Sequence, residues 1–278
     1  MTSYYRLSGG GNDFLAFLEP ENLPDSEKIR ALCTRGLSLG ADGLFTLRRT
    51  AAGAQMDYFN ADGRGAALCL NGARCAGRLA FHLGWGEHEL EVLTGAGAVT
   101  ARLADDGEIS LDVPPPRGRP KPVDIPIEGE TYSGFRIRIG VPYFVLPWAE
   151  TLARAPVSEL GERLRHAPEV GPSGANVDFV RFPDEQRIEM RVFERGVEAE
   201  TLASGTGVLA AVAVGIHLGR STLPAEILTK GGHVLAVDGE VEDNRPVRWT
   251  LSGDARLLAE GDYHDIAQSN PLPPDWSV

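Results

Sequence analysis

The chain repeats itself at a fixed spacing, and this repeat constrains its fold more than any other feature. CLNGARC (69–75) and SGTGVLA (204–210) lie 135 positions apart, and each runs into the same ending, FHLG in the first copy and IHLG in the second. The same offset carries EVLTGAGAV (91–99) onto EILTKGGHV (226–234). Two copies are too few for a solenoid, so we interpret the chain as two homologous domains.

A proline-rich stretch, VPPPRGRPKPVDIP (113–126), lies between the two copies. Proline clusters of this kind are typical of linkers, so the sequence predicts a linker here. We place an N-terminal domain over 1–115 and a C-terminal domain over 116–262. The last residues, 263–278, form a tail, for which a return to the first domain is one option.

Each half combines short strands with one long apolar segment. The apolar segments are 70–83 and 205–218, and a helix without a polar face has to be buried on all sides. We therefore expect an α+β protein of two domains related by a pseudo-twofold axis and facing each other across a cleft. Each domain should be a curved mixed β-sheet or barrel around a central helix. Alternating polarity predicts strands at 55–59, 108–113, 187–193 and 247–252.

The repeat places different side chains before the two helices, Cys69 in the first copy and Ser204 in the second. A helix N-terminus has unpaired N–H groups and a positive dipole end, and both favour a bound carboxylate. Two acid/base groups on opposite faces of one carbon can invert a stereocentre, and a thiol with an ordinary pKa of about 8.5 suits this work. Such chemistry needs no metal and no pyridoxal cofactor in principle, and the sequence shows no clear site for either.

Composition excludes several other classes of function. The net charge is −12, which argues against a nucleic-acid partner. No apolar run approaches the ~18 residues of a membrane span, and MTSYYRLSGGGNDF at the N-terminus does not resemble a secretory signal. Three cysteines without CxxC or Cys/His pairs indicate a reduced, cytoplasmic protein without a disulfide framework or zinc site. The oligomeric state stays open, with a homodimer as one alternative.

Seven short motifs follow one another along nearly the whole chain. They are GGGNDF (9–14), GADG (40–43), NADG (60–63), CLNGARC (69–75), NVDFV (176–180), FERGVEAETLASGTG (193–207) and TKGGHV (229–234). Each is weak alone, but in this order they resemble the diaminopimelate epimerases, which are cofactor-independent two-base enzymes. The resemblance implies that the chain interconverts LL- and meso-diaminopimelate, a diamino dicarboxylic acid, in the synthesis of lysine and peptidoglycan precursors.

The resemblance also implies roles for individual residues. Cys69 matches the first catalytic cysteine, Ser204 stands where the second is expected, and Glu194 matches an acidic group beside the reacting centre. The helix-start positions that hold the reacting carboxylate are matched by Leu70, Asn71, Gly205 and Thr206. The positions that recognise the distant amino-acid head of the substrate are matched by Asn12, Asn60, Asn176 and Arg195.

The chain departs from the family's pattern at four places. Ser204 replaces the second cysteine, and Leu70 replaces the usual glycine after the first. The family's Asn-Pro-His is Val-Pro-Tyr here, ending in Tyr143, and Gly43 stands where a polar side chain, often glutamine, can occur. Tyr143 and Gly43 are therefore further candidate site residues.

Structural roles compete with these assignments. Cys69 could be a buried core cysteine, Ser204 could be only a helix cap, and Arg195 could form an ion pair with Glu194. Three functions stay open: an epimerase, a one-thiol relative, and a non-catalytic binding protein. The first includes a catalytically impaired form with serine in place of cysteine, and the second a dehydratase or isomerase of a small amino or hydroxy acid.

Overall fold

The computed structural model describes residues 2–264, which form two compact units of mixed β-sheet and few helices. The first unit contains residues 2–109 and 255–264, and the second contains residues 110–254. The two units repeat one order of elements, and the predicted α+β class is confirmed. No helix within residues 2–264 has the length and apolar character that a membrane crossing requires.

The elements follow the chain in two similar series. The first series is β1 (Thr2–Gly9), β2 (Asn12–Leu18), α1 (Ser26–Cys33), β3 (Gly43–Thr50), β4 (Gly53–Asn60), β5 (Gly65–Ala66), α2 (Leu70–His82), β6 (Glu89–Thr94), β7 (Gly97–Leu103) and β8 (Ile109–Val113). The second is β9 (Lys121–Ile127), β10 (Glu130–Ile139), β11 (Val141–Pro147), α3 (Val157–His166), β12 (Asn176–Arg181), β13 (Arg187–Glu194), β14 (Ala199–Thr201), α4 (Gly205–His217), β15 (Ala225–Leu228), β16 (Val234–Glu242) and β17 (Arg245–Gly253). The chain then adds β18 (Arg256–Tyr263).

The two sheets have the same pairing scheme. In the first unit β2 and β3 are parallel, β3 and β4 antiparallel, and β4 and β6 parallel. In the second unit β11 and β12 are parallel, β12 and β13 antiparallel, and β13 and β15 parallel. Phe14 of the first sheet is equivalent to Tyr143 of the second. Phe14 pairs with Gly43, the first residue of β3, and Tyr143 pairs with Asn176, the first residue of β12.

Each unit has a central helix in contact with most of its strands. α2 contacts β1, β2, β4, β6, β7 and β18, and α4 contacts β10, β11, β12, β13, β16 and β17. α4 is apolar on all sides and buried over most of its length, as its sequence predicts. α2 is less uniform than predicted, because it carries Arg74 with none of its surface exposed. The predicted positions of both helices are confirmed.

A second helix packs on the sheet of each unit with a separate apolar cluster. In the first unit Ile29 and Leu32 of α1 pack with Leu15 and Leu44. In the second, α3 packs with Phe144, Val177 and Phe179 among others. Because side chains alternate between the faces of a strand, the neighbours of these residues, such as Phe45 and Asp178, point to the opposite face.

The observed unit boundaries differ from the predicted ones. Residues 113–126 do not join the units but lie inside the second, where β9 pairs antiparallel with β10. Proline cannot donate to a ladder, so Pro122 and Pro126 are compatible with a strand at a sheet edge. The return to the first unit begins at Ala255 rather than after residue 262, because β18 pairs antiparallel with β1. The rest of the predicted tail, 265–278, lies outside the described residues.

Candidate active site

Cys69 and Ser204 cap the two central helices with nearly the same backbone geometry. Cys69 has φ −132° and ψ 109°, and its Sγ accepts a hydrogen bond of 3.4 Å from the Gly72 N–H. Ser204 has φ −133° and ψ 115°, and its Oγ accepts a bond of 3.4 Å from the Gly207 N–H. Both are therefore true N-caps. Cys69 is partly exposed and Ser204 is 7% exposed.

The first residues of both helices offer backbone N–H groups that have no partner within the helix. These residues are Leu70 and Asn71 in α2, and Gly205 and Thr206 in α4. Leu70 is 2% exposed, so its side chain packs inward while its backbone remains at the helix start. An N–H pair at the positive end of a helix dipole can hold a carboxylate.

Both helix starts sit against the sheet at a glycine. A Cβ added to Gly72 would come within 3.0 Å of the Met56 Cε, and one added to Gly207 within 3.1 Å of an Asp178 oxygen. Contacts this short are tighter than most Cβ contacts, so a larger residue would need the neighbouring side chain to shift. Glycine allows the close packing of each helix start on its sheet without such a shift.

Asn71 and Asn12 contact each other beside the start of α2. The Asn71 Nδ2 donates to the Asn12 Oδ1 at 2.8 Å, and the Arg74 guanidinium donates to the Asn71 Oδ1 at 2.8 Å. The Asn12 Nδ2 donates in turn to Asp42 at 3.3 Å. These bonds hold Asn12, a predicted recognition residue, and Asn71, a predicted helix-start residue, in fixed orientations.

An ion-pair cluster that the sequence reasoning missed lies next to this amide chain. Asp13 pairs with Arg6 at 2.5 Å and with Arg35, and Arg35 also pairs with Asp42 at 2.8 Å. Burial opposes ionisation of Asp13, but the two guanidinium groups outweigh it and lower the pKa of that carboxyl. Asp13 directly follows Asn12 in GGGNDF, and successive side chains of a strand point to opposite faces. This alternation was the available sequence signal that Asp13 has surroundings different from those of Asn12.

Two predicted positions of the first unit lie at paired strand ends. Asn60 is exposed at the end of β4 and stands opposite Gly43 in the ladder. A Cβ on Gly43 would come within 2.8 Å of the Tyr58 hydroxyl and 2.9 Å of a backbone carbonyl. The polar side chain that can occur at this position in the family therefore has no room here.

In the second unit, Asn176 fixes the turn that carries Arg195. The buried Asn176 Oδ1 accepts a 2.8 Å hydrogen bond from the Arg195 N–H, and the Arg195 guanidinium reaches the Ser173 carbonyl at 3.4 Å. Glu194 accepts a 2.6 Å bond from the Thr201 hydroxyl. The predicted residues Asn176, Glu194 and Arg195 thus belong to one connected segment.

Ser204 belongs to a group of three hydroxyls, which we call the hydroxyl cluster: Tyr143, Ser204 and Thr206. The Tyr143 hydroxyl lies 3.1 Å from the Ser204 Oγ and 2.6 Å from the Thr206 Oγ1, so it joins the two. Burial raises the pKa of Tyr143, and the nearby carboxyls of Asp178 and Glu194 raise it further. The phenol is therefore protonated over the ordinary pH range.

Asp178 lies beneath the start of α4 and was not singled out from the sequence. It has no exposed surface, and among residues 2–264 neither of its carboxyl oxygens has a hydrogen-bond partner. Burial raises its pKa well above the ordinary value, and the charge of Glu194 adds to the effect. The signal was present in NVDFV, where a single acidic residue interrupts an apolar strand.

The remaining cysteines are packed in the core. Cys33 ends α1 and Cys75 lies within α2, both buried, and the three cysteines form no disulfide. Residues 2–264 contain no group of three or more His, Cys, Asp or Glu side chains arranged to hold a metal ion.

Comparison with known proteins identifies the family. The profile described as diaminopimelate epimerase matches residues 4–117 and 135–256. The diaminopimelate epimerase of Aquifex aeolicus is 34% identical over 273 residues, covering 93% of this chain and 96% of that protein. The enzyme of the same name from Methanothrix thermoacetophila is 36% identical over 247 residues, covering 82% of this chain and 86% of the relative.

A solved structure shows the same fold at lower identity. A probable proline racemase from Agrobacterium radiobacter, with bound carbonate, matches with a TM-score of 0.72 at 16% identity, covering 99% of this chain and 95% of that chain. The chain thus has the fold of a proline racemase-like protein, with a capped central helix in each unit. The sequence matches are more specific: the chain belongs to the diaminopimelate epimerase family. The resemblance stated from the motifs is confirmed.

Proposed function

We propose that the chain is an amino-acid epimerase that interconverts LL- and meso-diaminopimelate by proton transfer at the α-carbon. The observation that carries the proposal is Cys69 as the partly exposed N-cap of the central helix α2, in a chain of the diaminopimelate epimerase family. The curated relatives are named for this activity. Its product would serve the synthesis of lysine and peptidoglycan precursors.

Cys69 is the proposed base on one face of the α-carbon. Removal of the α-proton leaves negative charge that spreads onto the adjacent carboxylate of the substrate. The N–H groups of Leu70 and Asn71 follow Cys69 directly at the helix start, so they can stabilise this charge as it develops. On the other face, Ser204 takes the place of the second acid/base group, with Gly205 and Thr206 supplying the N–H groups.

The far end of the substrate is the proposed ligand of Arg195. A guanidinium binds a carboxylate with two parallel hydrogen bonds, which favours a dicarboxylic substrate over a monocarboxylic one. Asn176 holds the backbone N–H of Arg195, and this bond fixes where the side chain begins. Asn12 and Asn60 are the proposed partners of the distant ammonium and carboxylate groups, because an amide can accept from one and donate to the other.

Acid/base side chains are sufficient for this reaction, so the proposal includes no metal and no pyridoxal cofactor. A positioned acid or base contributes about 10²–10⁴-fold in rate, and N–H groups aimed at the developing charge add to this. Cys69 has to remain reduced to act, which supports a cytoplasmic location.

Ser204 favours a second candidate, an isomerase or dehydratase that uses one thiol. A hydroxyl is a far weaker acid than a thiol, so Ser204 is almost wholly protonated at neutral pH and rarely abstracts a proton. An enzyme with a base on one face only would remove a proton and complete the reaction by elimination or migration.

Incubation with LL-diaminopimelate in heavy water separates the candidates. The proposed epimerase forms the meso isomer with deuterium at the inverted α-carbon, and Cys69→Ala removes this activity. A one-thiol enzyme exchanges one α-proton without inversion or releases a keto product. The absence of any exchange with either isomer of diaminopimelate would contradict the proposal.

A further inference from the structure

Two polar residues near the start of α4, Tyr143 and Asp178, have apolar residues at the equivalent positions of the first unit. The strand registers place Tyr143 where the first unit has Phe14, and Asp178 where it has Phe45. Phe14 and Phe45 form an aromatic contact with ring centroids 6.3 Å apart. At these two strand positions one unit therefore has two packed rings, and the other has a phenol and a carboxyl group.

The hydroxyl cluster forms a continuous hydrogen-bonded path. Thr206 is half-buried, whereas Tyr143 is 1% exposed and Ser204 is 7% exposed. The distances of 2.6 Å and 3.1 Å from the Tyr143 hydroxyl are both within hydrogen-bond range, so one phenol connects a partly solvated hydroxyl to the N-cap of α4. A hydroxyl can donate and accept at once, and such a path can conduct a proton.

The carboxyl groups of Asp178, which is buried, and Glu194, which is half-buried, keep the path neutral. Asp178 lies under Gly207 with no hydrogen-bond partner for its carboxyl oxygens within residues 2–264, and Glu194 is close enough to act on both Asp178 and Tyr143. Negative charge on either carboxyl disfavours a tyrosinate. Tyr143 therefore cannot keep a negative charge, and a proton that it donates has to be replaced at once.

We propose that Tyr143 is a positioning and proton-relay residue that acts through Ser204, and that Thr206 is the solvent-facing end of the relay. The proposal rests on the proposed epimerase function and deepens it. It explains how a serine, which is a poor base, can serve the second face of the α-carbon: Ser204 does not hold a charge but passes a proton supplied through Tyr143.

The step balances as a chain of simultaneous transfers. Cys69 takes the α-proton and leaves a carbanion. The Ser204 O–H bond breaks as a C–H bond forms on the opposite face, Ser204 takes the Tyr143 proton, Tyr143 takes the Thr206 proton, and Thr206 takes one from water. The proton held by Cys69 is released to the resulting hydroxide, so no proton is gained or lost overall. In the reverse reaction the proton moves along the same path in the opposite direction, from Ser204 through Tyr143 and Thr206 to water.

The experiment measures two rates for diaminopimelate in heavy water, inversion and α-deuteration with retained configuration. Tyr143→Phe should lower inversion by about 10²-fold, the low end of a positioned acid/base contribution, and leave deuteration at the Cys69 face unchanged. Thr206→Val tests the other end of the path. It should also lower inversion and leave deuteration at the Cys69 face unchanged. Tyr132→Phe is the matched control, since it removes the hydroxyl that donates to Glu130 on β10.

A second comparison uses Ser204→Cys as the background. A thiol exchanges protons without a relay, so Tyr143→Phe should lose its effect on inversion there. Tyr143→Phe that lowers both rates equally, or neither, while the parent exchanges normally would overturn the relay alone. A parent without any exchange would overturn the proposed function together with the relay. If Tyr143→Phe does not fold, Thr206→Val with unchanged inversion also overturns the relay.

Discussion

The starts of α2 and α4 have the same backbone and different chemistry. Their caps agree within a few degrees in φ and ψ, and each cap side chain accepts from the N–H three residues on at 3.4 Å. Sulfur and oxygen can both fulfil that role. The cap geometry is thus the same with either side chain, and the difference between Cys69 and Ser204 lies in their acid/base chemistry rather than in the backbone.

The surroundings of the two caps differ as much as the caps themselves. Asn71 beside Cys69 belongs to a chain of amide hydrogen bonds, with aromatic rings at the equivalent strand positions. Ser204 belongs to the hydroxyl cluster, and the buried Asp178 lies against Gly207, three residues further along α4. The first start thus presents a thiol, and the second presents hydroxyls, which are far weaker acids than a thiol.

Removal of the Cys69 thiol at the first cap should have the largest effect on the rate of α-proton exchange. Cys69→Ser should abolish α-proton exchange, a loss of at least about 10²–10⁴-fold, because serine keeps the cap but is almost wholly protonated at neutral pH. Deuterium uptake by each isomer of diaminopimelate measures it. Cys33→Ala is the control: burial, with Asp13 and Asp42, raises the pKa of that thiol to about 12. Equal losses in both variants would remove the assignment of Cys69 as base.

Replacing Ser204 by cysteine, as at the first cap, should have the next largest effect on the reaction rate. Ser204→Cys should raise inversion by about 10²-fold or more, since a thiol on each face can both remove and return a proton. The backbone should not change, because Cys69 shows that a cysteine is compatible with this cap geometry. Inversion rates followed by chiral chromatography test it. An unchanged rate would mean that serine with its relay already suffices.

Arg195 tests whether the second unit also recognises the substrate. Arg195→Ala should weaken diaminopimelate binding by about 2–5 kcal/mol, the typical cost of removing one partner of a buried charge pair. Arg195→Lys should recover part of the loss, since it keeps the charge without the bidentate geometry. Calorimetric titration with diaminopimelate and with lysine, which lacks the distant carboxylate, provides the contrast. A loss of equal size for both ligands would argue against this role.

The sequence predicted the parts of the molecule that depend on local patterns. The positions of α2 and α4, their caps and the family followed from the repeat and from motif order, because cap residues and apolar runs are local signals. The ion pair between Asp13 and Arg35 and the contact between Tyr143 and Ser204 join residues 22 and 61 positions apart, so only the fold brings them together. The prolines of 113–126 predicted a linker, but pairing with β10 placed part of that stretch in a strand.

Asp178 should affect stability rather than activity, and the effect should be visible as a dependence of the free energy of unfolding on pH. Its ordinary pKa is 3.8, and burial with the charge of Glu194 raises the folded value well above that. Below about pH 4 both the folded and unfolded states hold the proton, so the group adds no pH dependence there. As the pH rises further, only the unfolded state releases the proton. The free energy of unfolding therefore falls by up to about 1.4 kcal/mol per pH unit until the folded pKa is reached.

Asp178→Asn has no proton to release, so its stability relative to the parent should increase with pH above about 4. Urea unfolding of both proteins at several pH values between 4 and 8 measures the difference, and Asp184→Asn, at an exposed position, is the matched control. Tyr143 is protonated throughout this range, so the slope should come from Asp178 and its coupling to Glu194. A stability difference that stays constant across the range would show that Asp178 ionises in the folded protein as readily as in the unfolded chain. The second helix start would then carry a charge beneath it, and the neutral character that separates it from the first would be lost.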